Sequence, residues 1–578
     1  MHLNSPSQIA LLAPLFLLSL TACVSATANL TAPPTVKVLN GSYYGTHLES
    51  YNQDLFLGIP FAEAPVGELR FANPVGLEGR SWEGAVSATN YAFHCIGYGA
   101  DQIGYQQSED CLYLNVVRPT GYENESLPVA LWIHGGGFAY GGAPDRRYNL
   151  SFIVQNSVDI GKPIIAASIA YRLGPFGFLN GDAVSDAGAL NLGLKDQRLA
   201  LHWINENIAA FGGDKEKVTI WGESAGAASV GLHLTAFNGR DDKLFRAAIM
   251  ESGGPIFFGE QQNSTDYQPM YDAVVEQAGC GNATDSLTCL REVPFTVLNS
   301  VLNTTEFNTP GWWPALDGDF VARYGSEQLN DGSFVHVPII AGANSDEGTG
   351  FSPRGVQTEG DLEDLLIHKI KGSWSASEPV LSSIIEAYIH TNAPDYLIPS
   401  TETLGADLSF ANTSFGAYWR RSAAYSGDLF FIASRRHTCA VWSAAGLDAY
   451  CYRFNAIPAG IPFPISVTHF QEVAFVFDNL QGLGYAVNPF EGKGESYIKL
   501  AELMSKSWAS FVADLDPNGW VGRSEEVEEW PSYEAVRDEV EGAWDMVFDA
   551  NVTSFVESDT FREVGIRIMN ENWGVVRR

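Results

Sequence analysis

The sequence predicts an α/β fold in which helices flank a central, mostly parallel β-sheet. Short apolar runs without polar alternation recur along the chain, and such runs are typical of strands buried on both faces. Helical patterns lie between many of these runs, which is the order that builds a parallel sheet. No internal repeat, low-complexity linker or break in composition divides the 578 residues. We therefore predict one domain rather than several.

Apolar runs locate the strands, and apolar residues at helical spacing locate the helices. In chain order the predicted strands are 35–38, 56–60, the later part of 109–119, 129–134, 163–171, 218–221, 243–251, 335–343 and 449–455. Helices are predicted over 194–211, after residue 224, through most of 350–440, and beyond the loop of His469 apart from a polar stretch at 514–531. Residues 257–333 are rich in Asn, Thr and Gly and show no regular pattern.

The first 28 residues have the features of a secretory signal peptide. The apolar run at 9–20, IALLAPLFLLSL, is too short to cross a bilayer, and an A-x-A cleavage pattern follows at 26–28. A signal peptide at 1–28 leaves a single domain at 29–578. The first segment lacks Lys and Arg, and LTAC at 20–23 also resembles a bacterial lipoprotein box with Cys23 as the lipidated residue.

Nine N-glycosylation sequons favour a eukaryotic secretory route over the lipoprotein alternative, although chance explains some of them. They begin at Asn29, Asn40, Asn124, Asn149, Asn263, Asn282, Asn303, Asn412 and Asn551. No later segment is apolar enough to span a membrane, and the last residues resemble neither a lipid-anchor nor a KDEL-type signal. We expect a secreted, extracellular protein.

The cysteines and the net charge agree with an extracellular location. Besides Cys23, six cysteines form three close pairs in sequence: Cys95 and Cys111, Cys280 and Cys289, and Cys439 and Cys451. Local disulfides between neighbours are the hypothesis, and no histidine stands at metal-site spacing, so no metal is predicted. The formal net charge of −34 repels nucleic acid and anionic membranes, so we expect neither as a partner.

The stretch 211–226, FGGDKEKVTIWGESAG, predicts a strand, a tight turn and a helix, with Ser224 at the apex of the turn. Gly222 and Gly226 complete a G-x-S-x-G nucleophile elbow. The turn strains the serine backbone, and glycine avoids collisions two residues to either side. A Gly-rich turn between a strand and a helix also fits the motif, so the assignment depends on the partner residues.

A serine nucleophile needs a base and a carboxylate that orients the base. With this elbow the chain order is serine, acid, histidine. The candidate bases are therefore His336, His368, His390, His437 and His469. Only His469 lies in a loop directly after a predicted strand, whereas the others lie inside helix-like or strand-like runs. Glu347 follows the predicted strand 335–343 and is the candidate acid.

The predicted strand 129–134 ends in HGGGF at 134–138, where glycines let backbone amides point towards a ligand. We predict an oxyanion hole formed by the amides of Gly136, Gly137 and Ala225. Each such donor contributes roughly 3 kcal/mol to transition-state stabilisation. Residues so far apart in sequence must meet in space, which again favours one domain.

Together these motifs resemble the type B carboxylesterase/lipase family, the cholinesterase-like branch of the α/β-hydrolases. FGGDKEKVTIWGESAG at 211–226 matches one family signature, and EDCLYLNVVRP at 109–119 matches the other. Further matches, in the same order and spacing, are FLGIPFAEAPVGELRF at 56–71, HGGGF at 134–138, YRLGPFGFL at 171–179, DEG at 346–348 and HFQEVAFVF at 469–477. The similarity covers essentially the whole mature chain and includes secreted fungal members.

The resemblance implies an α/β-hydrolase fold and a serine carboxylic-ester hydrolase that needs no cofactor. It implies Ser224 as nucleophile, Glu347 rather than Asp346 as acid, and His469 as base. It also implies Glu223 and Ser229 as support residues behind the triad, and disulfides Cys95–Cys111 and Cys280–Cys289. Cys439–Cys451 has no such precedent and depends on spacing alone.

The loop between Cys95 and Cys111 narrows the expected substrate. Cholinesterases place a choline-stacking Trp in this loop, and here CIGYGADQIGYQQSEDC contains none, so no choline site is expected. Fungal lipases of the family carry a longer loop that serves as a lid. We therefore expect an esterase for small or soluble esters, with a triacylglycerol lipase as the alternative. Trp312, Trp313, Phe257 and Phe258 are candidates for the pocket or for the core.

Two further alternatives come from other classes. A catalytically dormant secreted binding protein would share the fold, and labelling by an organophosphate separates it from an enzyme. Residues 514–525 fit the EF-hand calcium-loop pattern literally. Pro517 and the Trp-Pro pair at 530–531 favour a plain turn instead.

Overall fold

An eleven-stranded sheet lies at the centre of the described part of the chain, which comprises residues 32–308, 311–369, 378–534 and 543–578 of a computed structural model. Residues Pro34–Arg578 form one compact unit. The predicted signal peptide at 1–28, with Cys23, and the sequon at Asn29 lie outside the described residues.

The chain alternates between strands and helices over most of its length. The strands are β1 (Thr35–Lys37), β2 (Ser42–Tyr44), β3 (Thr46–Leu48), β4 (Gln53–Pro60), β5 (Ala85–Ser87), β6 (His94–Cys95), β7 (Gln107–Ser108), β8 (Tyr113–Pro119), β9 (Leu127–Ile133), β10 (Ile165–Ile169), β11 (Gly213–Glu223), β12 (Ala247–Glu251), β13 (Ile339–Asn344), β14 (Ala449–Phe454), β15 (Trp544–Phe548) and β16 (Phe555–Ser558). The helices are α1 (Leu150–Asp159), α2 (Gly174–Phe178), α3 (Asp182–Asp186), α4 (Leu192–Asn207), α5 (Ala225–Gly239), α6 (Ser264–Gln277), α7 (Ser286–Glu292), α8 (Phe295–Leu302), α9 (Thr305–Asn308), α10 (Gly325–Asp331), α11 (Glu359–Asp364), α12 (Glu378–Ile385), α13 (Thr401–Leu404), α14 (Trp419–Gly427), α15 (Ala433–Ala444), α16 (Val473–Val476), α17 (Glu495–Asp514) and α18 (Glu563–Glu571).

The strand order of the large sheet is β16-β15-β14-β13-β12-β11-β9-β10-β8-β4-β3. Strands from β15 to β10 pair in parallel, whereas β16, β8, β4 and β3 pair antiparallel at the two edges. This confirms the predicted mostly parallel sheet. The carboxyl ends of β9, β11, β13 and β14 point the same way, so the residues that follow them collect at one edge of the sheet.

The central strands are apolar on both faces because both faces of the sheet are covered. In β9, Leu131 and Ile133 face one apolar core, whereas Ala130 and Trp132 face another on the opposite side. Every residue of β10, β12 and β13 is buried. This double burial is the reason that these strands read as continuous apolar runs in the sequence.

The sequence-based prediction is wrong in two regions. The chain beyond His469 is not helical throughout, because β15 and β16 extend the sheet past β14. The buried charge of Asp545 interrupts the apolar pattern of β15, and that carboxylate accepts a hydrogen bond from Arg435 at 2.9 Å. Residues 257–333 contain α6, which has Pro269 inside it, and the short helices α7 to α10, which leave weak periodicity.

The calcium-loop alternative does not correspond to a helix–loop–helix unit. α17 ends at Asp514, and the described residues from 515 to 534 contain no second helix. Asp514 forms an ion pair with Lys162 at 2.7 Å. The side-chain amide of Asn518 donates to the backbone carbonyl of Trp530 at 2.8 Å, and the backbone amide of Trp530 donates to the side-chain oxygen of Asn518 at 2.8 Å. These two hydrogen bonds close a plain turn.

Candidate active site

The turn between β11 and α5 holds Ser224 in a strained backbone conformation, with φ 57° and ψ −121°. A Cβ atom added to Gly222 would lie 2.5 Å from the carbonyl carbon of Gly226, and one added to Gly226 would lie 2.0 Å from the oxygen of Ile133. Both positions therefore require glycine. The Ser224 amide donates to the carbonyl of Glu251 at 2.9 Å, which ties the turn to β12.

His469 lies in the loop after β14, and its Nδ1–H donates to Oε2 of Glu347 at 2.7 Å. Glu347 follows β13 and is fully buried. Its other oxygen accepts hydrogen bonds from the amide of Asn344 at 2.8 Å and from the hydroxyl of Ser252. A proton held at Nδ1 leaves Nε2 of the imidazole free to accept another proton.

The Nε2 atom of His469 lies 3.1 Å from Oε1 of Glu223, within ion-pair distance but without hydrogen-bond geometry. Among the described residues, none is hydrogen-bonded to the Ser224 hydroxyl. Such catalytic hydrogen bonds often form only when substrate is bound. The structure thus brings Glu223, Glu347 and His469 together beside the serine turn.

The glycines after β9 approach the serine turn closely. A Cβ atom on Gly135 would lie 3.1 Å from Cβ of Ser224. Gly136 and Gly137 adopt φ angles of 99° and 60°. In the described part of the chain, no group accepts a hydrogen bond from their amides or from that of Ala225, the first residue of α5. Free amides at this point, with the positive end of a helix dipole, suit a developing oxyanion.

The other candidate histidines have different surroundings. Burial lowers the pKa of His437 to about 4. His390 is exposed and makes hydrogen bonds to Glu386 at 2.8 Å and to Glu359 at 3.1 Å. His336 packs on Phe334 at a ring distance of 4.7 Å, and the side chain of His368 lies outside the described set.

Residues 32–552 match the model of the carboxylesterase family. This chain belongs to the carboxylesterase family. Secreted lipase 1 of Botryotinia fuckeliana is 34% identical over 542 residues, which cover 87% of this chain and 86% of that protein. Carboxylesterase 1F of Mus musculus is 30% identical over 570 residues, which cover 90% of this chain and 92% of that protein.

The solved structure of Aspergillus niger EstA superposes with a TM-score of 0.80 at 27% sequence identity and covers 95% of this chain and 99% of that structure. The predicted α/β-hydrolase fold is confirmed. Family and relatives together show that the chain is a carboxylic ester hydrolase. No helix in the described part of this carboxylesterase combines the length and apolar character needed to cross a bilayer.

Sequence reasoning missed several side chains that lie near Glu347 and His469 in this carboxylesterase. Glu472 accepts a hydrogen bond from the side-chain amide of Asn344 at 2.6 Å. The rings of Phe431 and Phe351 lie 4.5 Å and 5.1 Å from that of His469. Glu472 stands inside the motif at 469–477, which was its available signal, whereas the two phenylalanines come from distant segments.

The buried carboxyl groups below the site favour their neutral forms. Burial, followed by the charge of Glu347, raises the pKa of Glu472 to about 7. Burial, followed by the charges of Glu472 and other carboxylates, raises the pKa of Glu223 well above its usual range. Burial and the charge of Glu472 do the same to Glu251, which accepts hydrogen bonds from two tryptophan side chains at 2.6 Å each.

Ser229, the other predicted support residue, contacts the start of α5 rather than the acid or base. Its hydroxyl donates to the carbonyl of Ala225 at 2.8 Å and accepts from Gln197 at 3.0 Å. It therefore stabilises the helix whose first amide faces the site.

The structure contains the disulfides Cys95–Cys111, Cys280–Cys289 and Cys439–Cys451. The loop that the first of these closes is fastened to the residues after β9. The Tyr98 amide donates to the carbonyl of Ala139 at 2.8 Å. Asp101 forms an ion pair with Arg147 at 2.8 Å, and Gln102 contacts His94 at 2.8 Å.

The four aromatic residues that were candidates for the pocket or the core have different contacts. Trp312 is buried and stacks on Tyr267 at 5.8 Å, so it belongs to the core. Trp313 packs against Phe257 at 5.9 Å and Phe258 at 5.6 Å. Phe258 in turn lies 6.5 Å from Phe431, the ring beside His469. A series of ring contacts therefore connects Trp313, Phe257 and Phe258 to His469.

Proposed function

We propose that this carboxylesterase is a secreted serine enzyme that hydrolyses small or soluble esters through Ser224, His469 and Glu347. The observation that carries the proposal is the 2.7 Å hydrogen bond from His469 to the buried Glu347, beside the elbow that presents Ser224. A base held in this way, next to a strained serine, is the arrangement that activates a hydroxyl group.

In the proposed mechanism, Ser224 attacks the ester carbonyl while Nε2 of His469 takes the hydroxyl proton. The amides of Gly136, Gly137 and Ala225 donate to the oxyanion. His469 then protonates the leaving alcohol, and an acyl-enzyme remains. Water that gives a proton to the same nitrogen attacks the acyl group and releases the acid. Glu347 orients the imidazole and stabilises the imidazolium in both steps.

The preference for small or soluble esters is supported by the loop between Cys95 and Cys111. Its disulfide joins the two ends of the loop, and its ion pair through Asp101 and its backbone bond through Tyr98 attach it to neighbouring structure. A lid that opens at a lipid surface would have to break the ion pair and the backbone bond. The loop therefore suits an enzyme that takes its substrate from solution.

A triacylglycerol lipase is the second candidate, because several relatives are named as lipases, including Lipase 2 of Diutina rugosa at 32% identity. The test is hydrolysis of p-nitrophenyl esters from acetate to palmitate, by wild type and by Ser224→Ala. We expect a short-chain preference that the variant loses. A rate that increases sharply above the micelle threshold would favour the lipase, and substantial hydrolysis by Ser224→Ala would refute the serine mechanism.

We also propose removal of the signal peptide at 1–28 and glycosylation at the exposed sequons. Asn124, Asn263, Asn282, Asn303, Asn412 and Asn551 are exposed. Asn40 differs, because its side-chain amide donates to the carbonyls of Leu77 at 2.8 Å and Arg80 at 2.9 Å. A glycan would displace one of these hydrogens, so we expect Asn40 to stay unmodified.

Mass spectrometry of the secreted protein tests both points. The amino terminus should begin at residue 29, and enzymatic deglycosylation should convert the exposed asparagines, but not Asn40, to aspartate. A glycan at Asn40, or a retained amino-terminal segment, would contradict the respective proposal.

A further inference from the structure

A π-helical turn interrupts the long helical segment formed by α14 and α15. This turn, Asp428–Ile432, carries two adjacent phenylalanines, Phe430 and Phe431. A π turn inserts an extra residue into a helix, shifts the direction of the side chains that follow, and is frequent at functional sites. Here the shift determines which phenylalanine faces His469.

Phe431 covers one face of the His469 imidazole. The two rings are stacked, with a centroid distance of 4.5 Å and an interplanar angle of 19°. Phe351 approaches the same imidazole edge-on at 5.1 Å and touches Phe431 at 5.3 Å. Phe431 is only 3% exposed, whereas Phe351 is 43% exposed. The flat, buried ring of Phe431 is therefore the firmer of the two contacts.

Hydrogen bonds to buried polar groups fix the π turn in place. Asp428 accepts two hydrogen bonds from Arg562, at 2.7 Å and 2.8 Å, and one from the hydroxyl of Tyr388 at 2.8 Å. The carbonyl of Leu429 accepts a hydrogen bond from Arg578 at 2.6 Å. Charge-assisted bonds of this kind in a buried setting leave the turn little freedom.

The same helical segment packs against the turn that carries the acid. A Cβ atom on Gly348 would lie 1.9 Å from the carbonyl oxygen of Ala423, and one on Gly427 would lie 2.9 Å from the amide nitrogen of Gly348. The backbone of α14 thus touches the residue after Glu347, while the π turn touches His469. A Cβ atom on Gly427 would also lie 3.4 Å from Cβ of Glu347. One helical segment thus packs against both members of the hydrogen-bonded pair.

We propose that Phe431 is a positioning residue for the base: its ring keeps the imidazole of His469 in the orientation in which Nδ1–H meets Glu347 and Nε2 lies beside the serine turn, 3.1 Å from Oε1 of Glu223. The proposal rests on the proposed serine mechanism. An imidazole stacked on a fixed ring cannot swing about its side-chain bonds, so each turnover begins from the aligned state. Loss of about 1 Å of alignment costs on the order of 100-fold in rate.

The test compares Phe431→Leu with Phe430→Leu. Phe430 is a matched control because it has the same side chain, occupies the same turn and packs on Phe351 at 5.6 Å. With p-nitrophenyl acetate we expect kcat of Phe431→Leu to fall about 10- to 100-fold at nearly constant KM, as expected for misalignment. Phe430→Leu should stay within about threefold of wild type, and Phe431→Tyr, which keeps a flat ring, should recover most of the loss.

Two measurements separate positioning from other roles. If Phe431 instead lined the acyl pocket, its substitution would alter KM or the chain-length preference. A positioning role predicts that Phe431→Leu loses the same factor in kcat with the acetate ester as with the octanoate ester. Both leucine variants should still unfold cooperatively, with the lower midpoint for Phe431→Leu because Phe431 is buried and Phe430 only partly so, which excludes general loss of structure. Equal kcat values for both variants, or a loss confined to one chain length, would overturn the proposal.

Labelling with diethyl p-nitrophenyl phosphate keeps this inference distinct from the serine mechanism. Wild type should be labelled at Ser224, and Phe431→Leu should be labelled more slowly by the factor seen in kcat. A wild-type enzyme that resists labelling would defeat the serine mechanism itself. Labelling of wild type and Phe431→Leu at one rate would defeat only the role of Phe431.

Discussion

At the scale of single residues, Glu347 and Asp346 are adjacent carboxylates with different partners. Glu347 accepts the Nδ1–H of His469 at 2.7 Å, whereas Asp346 accepts the amide of Val467 at 3.1 Å. We expect Glu347→Gln to lower kcat by up to about 10⁴-fold, since an amide no longer stabilises the imidazolium. Asp346→Asn, which keeps an acceptor for Val467, is the control and should retain most activity. Similar losses in both variants would contradict the assignment of the acid.

Gly136 provides a second residue-scale prediction. Its φ is 99°, and an added Cβ atom would lie 2.2 Å from the carbonyl of Tyr140. Gly136→Ala should displace the amide from the oxyanion and lower kcat about 100- to 1,000-fold. Gly121→Ala is the control, because Gly121 has a similar φ of 93° but open space around its Cβ position. Comparable kcat values for the two variants would argue against an oxyanion role.

Site residues that are required by the local backbone geometry were predictable from the sequence. Residues that reach the site only through tertiary contacts were not. The glycines at 222 and 226 follow from the turn alone, since any Cβ atom there meets backbone. Ser252 and Phe431 reach the site only through the packing of distant segments. A serine at the end of a strand and a phenylalanine in a helix have many structural roles, so neither carries a signal in one sequence.

At the scale of elements, the loop between Cys95 and Cys111 is held by both covalent and non-covalent links. Replacement of both cysteines by serine should lower the free energy of unfolding by about 3 kcal/mol, the effect of opening a loop of this length. Activity should persist, because Asp101 still pairs with Arg147 and Tyr98 still bonds to Ala139. Urea unfolding and kcat measure the two effects.

The design of that experiment separates the two kinds of link. If removal of the disulfide alone abolishes activity, the covalent bond rather than the ion pair positions the loop. Addition of Asp101→Asn to the disulfide-free protein removes the ion pair as well. We expect only this combined variant to lose alignment of the loop and a substantial part of kcat.

Some strands could be predicted from the sequence and others could not. The central strands β9, β10 and β12 are buried on both faces and were predicted as apolar runs. β15 was missed because it carries a buried charge, Asp545, whose partner Arg435 comes from α15. A charged residue inside a strand is stabilised by an ion pair that only the folded chain makes, so the local pattern misleads.

At the scale of the whole molecule, several carboxyl groups are buried close to the parallel sheet. Burial raises the pKa of Glu472 to about 7 and that of Asp346 to about 7, and it raises those of Glu223 and Glu251 well above their usual range. Each group holds its proton in the folded protein after the unfolded chain has released it, at about pH 4. Stability is therefore lost as the pH rises from about 4 towards the folded pKa.

Buried histidines change the stability in the opposite direction, but over a lower range of pH. Burial lowers the pKa of His134 and of His437 to about 4. The unfolded chain takes up their protons below about pH 6.5, so these groups reduce stability only below that value. Above that pH these two histidines no longer change the stability, whereas the carboxyl groups still do.

We therefore expect the midpoint of thermal unfolding to fall as the pH rises above about 6.5 towards the folded pKa values, which are about 7 for Glu472 and Asp346. Each carboxyl group still protonated in the folded state contributes a slope of about 1.4 kcal/mol per pH unit. Glu251→Gln should make the fall shallower, because glutamine keeps an acceptor for both tryptophans and cannot ionise. Glu495→Gln, at an exposed position on α17, should leave the slope unchanged. A flat or rising midpoint in wild type, or equal slopes in both variants, would show that these carboxyl groups are not protonated in the folded protein.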